Sequence, residues 1–498
     1  MMARNALEIL LGRTTPRTVA PRPCSPRAAA DAPLGGSVAT IRNLLEEDDG
    51  LQHLDPASLG TRIQDYVFRH DQRQRYVDAA TRYLKRDQDP TPADYDIVLV
   101  GAGLHAGAFL YTLRKARPDL RILVVERSED ICSTFARLGD ALVLNSPTFS
   151  KVGLDANIVP GHFVQLSDFD ELAERPFPTA KHLQQLATMV LFHADANIRF
   201  SFEVDDITSS GTGYRVSTCD GYVHARCVIV CNGMGSPRDA SFAVDRRGDD
   251  IMFGDDFLST CQNDRSFARS LCHKRVAVVG AGDTANCVME RLLPLVYPND
   301  EYGLNRAPLP LPKSVVWIGQ GARHIREYFF ANKTRYCHAG GLIELFWDGD
   351  SPFELPYDTW RRTKERLRSV PDRLVSVVHQ RGVSTLTTES ETVDVDLVID
   401  CTGRFNVLAS RLQRRAYHFV EGDVEFHGGR WDDEIERFTA APRTLKRKRI
   451  ACQLTGEHIY LLGCATPLGA LIDDEEARDG SLTHVEERTS LTNSKWSF

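Results

Sequence analysis

The chain contains two glycine turns of the same form, Gly101-Ala102-Gly103 and Gly280-Ala281-Gly282. Each turn follows a short apolar run and precedes residues with helical spacing. In such a strand–turn–helix unit, backbone N–H groups and the positive end of the helix face the turn, where they can bind phosphate. One unit predicts a nucleotide site. Two units in one chain predict that two nucleotides meet in one protein, and a flavin beside a nicotinamide is the usual pair.

The first unit contains each element that such a site requires. Residues 95–100 are apolar enough for a strand buried on both faces of a parallel sheet. Gly101 permits the tight turn, Gly103 lets the backbone approach a pyrophosphate, and Ala106 allows close packing of the helix on the strand. The next strand ends at Glu126, a position from which a carboxylate binds a pair of ribose hydroxyls. The alternative is a tight turn that binds nothing.

The second unit has no acidic residue at the corresponding place. Its second strand pattern, residues 315–318, is followed by Arg323 and Arg326. Guanidinium groups suit the 2′-phosphate of NADPH better than the free hydroxyl of NADH. The alternative is an exposed loop whose arginines bind no ligand. Residues 298–313, which precede the strand, contain several prolines and are interpreted as an inserted loop.

Two later segments have the composition of strands that return to these sheets. Residues 226–231 run into the turn 232–235, and residues 395–400 run into the turn 401–404. Both turns contain glycine, which allows the backbone to pass close to a cofactor or to cross from one domain to another.

In the order and spacing of these motifs, residues 94–465 resemble the two-dinucleotide-binding flavoproteins and, within them, the class B flavin monooxygenases. That group includes the flavin-containing monooxygenases, the Baeyer–Villiger enzymes and the N-hydroxylases of lysine and ornithine. Three further segments carry the resemblance. Residues 142–147 are similar to a family stretch with an asparagine near the flavin ring, and residues 176–179 are similar to the family's aromatic-proline element. Residues 396–403 are similar to its Ala-Thr-Gly stretch. In the last, Cys401 stands where alanine is common, and Arg404 follows where tyrosine is common.

The resemblance implies an α/β protein with two Rossmann-like dinucleotide-binding domains, an FAD domain with an inserted NADPH domain, and a helical N-terminal extension. The expected divisions are a leader at 1–40, a helical extension at 41–93, the FAD-binding domain at 94–238 and 380–470, the NADPH-binding domain at 239–379, and a C-terminal tail at 471–498. The candidate cofactor-binding residues are Gly101, Ala102, Gly103, Ala106, Glu126, Arg127, Asn145, Gly280, Gly282, Asp283, Thr284, Ala285, Arg323, Thr402 and Gly403.

The resemblance also implies an FAD- and NADPH-dependent monooxygenase. Its flavin C4a-hydroperoxide would oxygenate a small amine, thioether or ketone, with amino-acid N-hydroxylation as one form. Asn145 is the expected catalytic contact near flavin N5; the alternative is a turn asparagine before Pro147. Arg404 is expected to hold a substrate carboxylate, or to pair with Asp400 or a cofactor phosphate. The aromatic residues of 324–347 either line the substrate pocket or fill a core.

Other features separate this chain from related classes. The histidine of the family's Phe-x-Gly-x-x-x-His signature is missing from the nearest candidate, residues 252–257, and Cys464 stands where disulfide reductases have an aspartate. The 12 cysteines include no C-x-x-C or C-x4-C pair where a disulfide reductase holds its redox centre. The rival interpretation is therefore a reductase that passes electrons to a non-disulfide acceptor. A redox-sensing or scaffolding flavoprotein is a third alternative, without a positive signal.

Composition excludes several other functions. A net charge of −8 argues against nucleic acid as the main partner. No apolar run approaches membrane-spanning length, and no histidine or cysteine cluster has zinc or iron–sulfur spacing, so neither a membrane span nor a metal is expected. The expected partners are a small-molecule substrate and dioxygen. The basic residues 446–449 are interpreted as a solvated loop.

The N-terminal region differs from the rest of the chain. Up to Arg42, six arginines stand against only Glu8 and Asp31. This pattern indicates either a disordered leader of a cytoplasmic protein, which we expect, or an organellar transit peptide. Residues 41–84 have helical spacing, which predicts helices that pack on the FAD domain or, alternatively, form a contact between copies in a homo-oligomer.

Overall fold

This computed structural model describes residues 69–86, 94–142, 166, 169–174, 178–237, 242–244, 250–280, 282–292, 310–319, 365–426, 429–432, 437–440, 444–462 and 465. The predicted leader and C-terminal tail lie outside these residues. The helices are α1 (His70–Leu84), α2 (Leu104–Ala116), α3 (Ser133–Leu138), α4 (Asp170–Glu174), α5 (Ala180–His193), α6 (Gly254–Asn263), α7 (Arg265–Ser270), α8 (Asp283–Leu292) and α9 (Val407–Gln413).

The strands fall into two large sheets and several small ones. In chain order they are β1 (Asp94–Val100), β2 (Ile122–Val125), β3 (Ile198–Arg199), β4 (Asp206–Ser210), β5 (Gly213–Thr218), β6 (Gly221–Val230), β7 (Ser236–Pro237), β8 (Ala243–Val244), β9 (Ile251–Phe253), β10 (Arg275–Val279), β11 (Ser314–Ile318), β12 (Leu367–Val370), β13 (Leu374–Gln380), β14 (Val383–Thr388), β15 (Thr392–Val395), β16 (Leu397–Asp400), β17 (Arg404–Phe405), β18 (Tyr417–Phe426), β19 (Gly429–Asp432), β20 (Arg437–Ala440), β21 (Thr444–Leu454) and β22 (Ile459–Leu462).

The first sheet contains nine strands, in the order β18-β21-β22-β6-β1-β2-β3, with the β4–β5 hairpin attached to β6. Its centre is parallel: β1 pairs with β2 and β6, so that Leu99 lies opposite Val124 on one side and Ile229 on the other. Leu99 packs into one hydrophobic cluster, whereas Val98 and Val100 pack into another. Because alternate residues of a strand point to opposite faces, both faces of β1 are buried, as predicted.

The second sheet contains five parallel strands, in the order β12-β11-β10-β16-β9. β10 precedes Gly280 and lies between β11 and β16, just as β1 precedes Gly101 and lies between β2 and β6. A four-stranded sheet, in the order β15-β14-β13-β8, accompanies it. The predicted α/β class is therefore confirmed, with a strand–turn–helix motif in the parallel centre of the first sheet and another in the second sheet. We call the first sheet with α1–α5 and α9 the first unit, and the second and four-stranded sheets with α6–α8 the second unit.

The strand predicted within residues 395–400 belongs to the second sheet. Val398 of β16 lies opposite Ala277 of β10 and Ile251 of β9. The chain consequently returns to the first sheet after β17, and β18, β21 and β22 complete that sheet. The predicted return at residue 380 is therefore too early. The apolar composition of β16 resembles that of β6, so the sequence does not distinguish the sheets that these two strands join.

The basic residues 446–449 form part of a strand and not the expected solvated loop. They lie in β21, which pairs with β18 in antiparallel register; Arg447 lies opposite Asp423, and Arg449 lies opposite Glu421. A run of four basic residues has no strand pattern of its own. Its conformation follows from pairing with a strand that lies elsewhere in the sequence.

The N-terminal helix α1 packs against α5 of the first unit through a buried arginine. Arg73 is fully buried, with 0% of its surface exposed. Its guanidinium forms an ion pair with Glu171 of α4, donates from Nε to Gln185 Oε1 of α5 at 3.1 Å, and lies 3.8 Å from the centre of the Phe169 ring. His182 of α5 also contacts Glu171, at 2.9 Å from Nε2 to Oε1. One carboxylate therefore joins α1, α4 and α5.

We expect Arg73→Leu to destabilise the first unit by about 3 kcal/mol, because loss of one partner leaves a part-buried carboxylate without its counter-charge. Differential scanning calorimetry should show a lower melting temperature for this variant. Arg75→Leu is the matched control: Arg75 lies on the same helix but is exposed, so its removal should cost at most about 0.5 kcal/mol. Equal losses in both variants would contradict the role of Arg73.

The same stabilisation should depend on pH. Burial alone raises the pKa of Glu171, but hydrogen bonds with His182 and Asp170 and the charge of Arg73 outweigh it, so that the pKa lies below its ordinary value of 4.5. A carboxyl with a depressed folded pKa stabilises above its unfolded value and loses that effect as the pH falls through the folded value. The gap in melting temperature between wild type and Arg73→Leu should therefore narrow below pH 4.5.

Candidate functional site

The first glycine of each turn has a left-handed backbone and packs against the residues that follow the neighbouring strand. Gly101 has a φ of +105° and Gly280 a φ of +115°. A Cβ on Gly101 would lie 2.7 Å from Asn232 Cα, after β6, and a Cβ on Gly280 would lie 2.7 Å from the carbonyl carbon of Cys401, after β16. Both the backbone angle and the close approach require glycine. The first glycines of the two turns are therefore equivalent in conformation and in surroundings.

The second glycine of each turn faces open space. A Cβ built on Gly103 or Gly282 would have no atom within 4 Å. Gly103 precedes α2 and has no side chain that could cap the helix. Its first turn also carries no acidic residue. N–H groups at a positive helix end, beside open space, are suited to an anion such as a pyrophosphate.

Small residues of the first turn and of the helices after both turns are buried. Ala102, Ala106 and Ala285 are each 0% exposed. Gly107 of α2 lies against α5, where a Cβ would come within 3.2 Å of Val190 Cγ1. Small side chains at these positions allow each helix to pack closely against the neighbouring strands and helices.

Glu126 lies against the first turn, at the end of β2. Its Oε2 accepts a hydrogen bond from the Ala102 N–H at 2.9 Å, and its Oε1 accepts one from the Ser128 N–H at 3.1 Å. Burial raises the pKa of Glu126, against the opposing effect of these hydrogen bonds and of the Arg127 charge. The structure thus brings together Gly101, Ala102 and Glu126, and leaves lone pairs on both carboxylate oxygens for further donors.

Arg127 lies at the surface beside this carboxylate. It is exposed, and its Nη1 donates to Ser236 Oγ at 2.9 Å. Ser236 belongs to β7, which leaves the first unit for the second. Arg127, which was predicted to bind a cofactor, therefore contacts one of the two segments that connect the units.

A small cleft lies at the carboxyl ends of β9 and β16, beside the start of α8. It contains two predicted residues, Thr284 and Gly403. Asp400 is buried in its wall and accepts hydrogen bonds from the Thr402 N–H at 3.0 Å and the Thr402 Oγ1 at 2.7 Å. The lining residues are Pro237, Phe253, Gly254, Asp255, Thr284, Asp400, Cys401, Gly403 and Arg404.

Sequence reasoning missed the β9 side of this cleft. Gly254 begins α6, and a Cβ there would lie 2.7 Å from both Cys401 Sγ and Thr284 Cγ2. The segment 252–257 lacks the family histidine, but its glycine has a clear packing reason. Gly254 is the one residue of this segment whose type indicates close packing in the sequence. Nothing in the sequence indicates that the neighbouring Asp255 lines a cleft.

Arg404 is bound by protein groups on two sides. Its guanidinium forms an ion pair with Asp255, which is 5% exposed, and its Nη1 donates to the Gly235 carbonyl at 2.9 Å. Burial, followed by the charges of Arg137 and Arg127, lowers the pKa of Arg404 to about 10. The predicted alternatives for Arg404 did not include Asp255.

The two chain segments that connect the units pair with each other. Arg404 and Phe405 of β17 lie opposite Pro237 and Ser236 of β7, in antiparallel register. Next to this ribbon, Asn406 donates from Nδ2 to Asn232 Oδ1 at 2.6 Å, and Asn232 donates back to Asn406 Oδ1 at 3.1 Å. The paired linkers therefore lie between the two glycine turns.

Several predicted residues lie outside the described part of the chain: Asn145, Arg323, residues 324–347 and Cys464. The side chain of Asp283 is likewise not described. Among the described cysteines there is no disulfide; Cys227 and Cys231 are buried, which raises the pKa of each thiol to about 12. Within the described residues, no group of three or more acidic, histidine or cysteine side chains is placed to hold a metal ion.

None of the helices in the described ranges combines the length and the apolar character that a membrane crossing requires.

No protein-family model matches this chain. Among curated proteins, the thiamine thiazole synthase of Ajellomyces capsulatus is 37% identical over 93 residues, which is 19% of this chain. The matched part spans 24% of that protein's length.

Several solved structures are similar to most of the chain. The L-lysine 6-monooxygenase from Pseudomonas syringae is 17% identical, with 81% of this chain and 99% of that chain covered and a TM-score of 0.48. The bacillithiol disulfide reductase from Staphylococcus aureus is 10% identical, with 82% and 98% covered and a TM-score of 0.44. The similar structures thus include both a monooxygenase and a disulfide reductase.

The two glycines of the first turn should respond differently to substitution. We expect Gly101→Ala to lower the free energy of unfolding by about 2–4 kcal/mol, because it combines a left-handed backbone with a clash against Asn232. Gly103→Ala, with an extended backbone and open space, should change it by less than about 1 kcal/mol. Thermal unfolding without added nucleotide measures both values. Equal destabilisation by the two variants would contradict this assignment.

Proposed function

We propose that this chain is an oxidoreductase that binds FAD at the first glycine turn and NADPH at the second, and that it acts as a monooxygenase. The observation that carries the proposal is the duplication of one geometry. Each turn has a left-handed glycine packed on the neighbouring strand's exit and a second glycine facing open space. Two such sites joined by paired linkers suit hydride transfer from one dinucleotide to the other.

The residues of the first turn fit FAD. Gly101 and Gly103 would lie against the pyrophosphate, with the N–H groups of α2 as donors. Glu126 is already held at the turn by the Ala102 and Ser128 N–H groups, so its carboxylate is oriented before a ribose binds. Its free lone pairs would accept hydrogen bonds from the two ribose hydroxyls.

The residues of the second turn fit a nicotinamide dinucleotide. Gly280 and Gly282 would contact its pyrophosphate, and Thr284 and Gly403 line the adjacent cleft. Arg323, which follows the end of β11 in the sequence, would bind the 2′-phosphate of NADPH.

When bound, the flavin supplies the oxygen chemistry, and the protein supplies orientation and exclusion of water. In the balanced reaction, one oxygen atom of dioxygen enters the substrate, the other becomes water, and NADPH provides the two electrons. Asn145 would contribute a hydrogen bond near flavin N5. We propose a small amine, thioether or ketone as substrate. Arg404 gives little support to an amino acid, because Asp255 and the Gly235 carbonyl already bind its guanidinium.

The chemistry can be tested by following the oxygen atoms. Purified protein supplied with FAD and NADPH should turn over under 18O-labelled dioxygen and place one labelled atom in an amine, thioether or ketone, as measured by mass spectrometry. Less than one hydrogen peroxide should form per NADPH. Peroxide that equals NADPH consumption with every substrate, together with rapid reduction of a quinone or dye, would establish the reductase alternative. Protein that binds no FAD would contradict both.

We expect NADPH to be preferred over NADH, and Arg323 to carry part of that preference. Arg323→Ala should lower the ratio of kcat/KM for NADPH over NADH by about 10-fold or more, because a charge-assisted contact to the 2′-phosphate is lost. Arg373→Ala is the control, since Arg373 is an exposed arginine between β12 and β13. The ratio should stay unchanged in that variant. A wild-type enzyme that uses both dinucleotides equally would show that Arg323 is only a surface charge.

A further inference from the structure

One buried carboxylate connects the two units and both linkers. Asp255, at the start of α6 in the second unit, accepts a hydrogen bond from Arg137 Nη2 of α3 in the first unit at 3.1 Å. The same Oδ2 atom forms the ion pair with Arg404 of β17. Arg404 in turn donates to the Gly235 carbonyl, just before β7. A single side chain therefore links the first unit, the second unit and the two strands between them.

Among the described residues, Asp255 is the carboxylate that contacts both Arg137 and Arg404. Arg137 and Arg404 both use its carboxylate, and the Asp255 side chain is 6% exposed. The neighbouring Asp256 contacts Arg137 Nη1 at 3.3 Å, but its side chain is 45% exposed. Without Asp255, the buried guanidinium of Arg404 would face that of Arg137 with no buried counter-charge between them. Repulsion would then act to separate α3 from the linker.

The linker at this point has little freedom to adjust. Gly235 has a φ of +83°, and a Cβ there would lie 2.6 Å from Asn406 Cα. Asn406 also donates from Nδ2 to the Gly233 carbonyl at 2.8 Å. The left-handed Gly235 and the hydrogen bonds of Asn406 therefore hold the ribbon in one conformation beside the ion pair.

We propose that Asp255 is a positioning residue, which locks the second unit against the first in the orientation that hydride transfer between two bound dinucleotides requires. The inference rests on the proposed function, because only a reaction between two bound cofactors depends on how the units are oriented. A displacement of about 1 Å in such a reaction can cost about 100-fold in rate. Asp255 lines the cleft beside the second turn, but its carboxylate is already bound by Arg137 and Arg404, through which it acts in this proposal.

The test is Asp255→Asn, which keeps the shape of the side chain and removes its charge. In anaerobic stopped-flow experiments, flavin reduction by NADPH should be at least 10-fold slower than in wild type. Reduction by dithionite, which needs no second unit, and the bound FAD content should stay within 2-fold. Asp255→Glu should recover part of the NADPH rate, since it keeps the charge. Asp256→Asn is the matched control and should stay within 2-fold on every measure.

Three results would overturn the proposal: an unchanged NADPH rate in Asp255→Asn, an equal loss of the NADPH and dithionite rates, or a loss as large in Asp256→Asn. The orientation can also be measured without cofactors. Small-angle X-ray scattering should give a larger radius of gyration for Asp255→Asn than for wild type, with Asp256→Asn unchanged. If the protein binds no FAD, the proposed function fails, and identical scattering of all variants would separately disprove the lock.

Discussion

The architecture depends on how closely the backbone of each glycine turn approaches the chain that leaves the neighbouring strand. In the first sheet Gly101 meets the segment after β6, and in the second sheet Gly280 meets the segment after β16. These two segments are also the beginnings of the linkers between the units. The contacts that shape the two glycine turns therefore also determine where the chain crosses from one sheet to the other. The shape of the turns and the connection between the units depend on the same packing.

Sequence reasoning succeeded where the relevant residues are close together in the chain. The turn at Gly101 and the acidic residue Glu126 belong to one strand–turn–helix–strand unit, so their spacing predicted their meeting. It failed where two distant segments decide the outcome. β16 joins the second sheet because of its neighbours β10 and β9, and Arg404 pairs with Asp255 because the linker passes α6. In both cases the partner lies more than 100 residues away in the sequence, so local patterns cannot indicate it.

Two buried arginines illustrate how the fold uses charge. Arg73 anchors the N-terminal helix through Glu171, and Arg404 anchors the linker through Asp255. In both cases a single carboxylate receives contacts from more than one element, with His182 in the first cluster and Arg137 in the second. A shared carboxylate needs less desolvation than two separate pairs would, and it makes each junction depend on one residue.

The pairing of β7 with β17 means that the chain enters and leaves the second unit at adjacent positions. The second unit therefore lies between two adjacent points of the chain, and its two ends need only a short ribbon. Such a module can be exchanged for another of similar size while the strand order of the first sheet is kept. The exchange would nevertheless leave Arg137 behind in the first unit. A replacement without a buried carboxylate at the start of its first helix would leave Arg137 and Arg404 without the counter-charge that Asp255 supplies here.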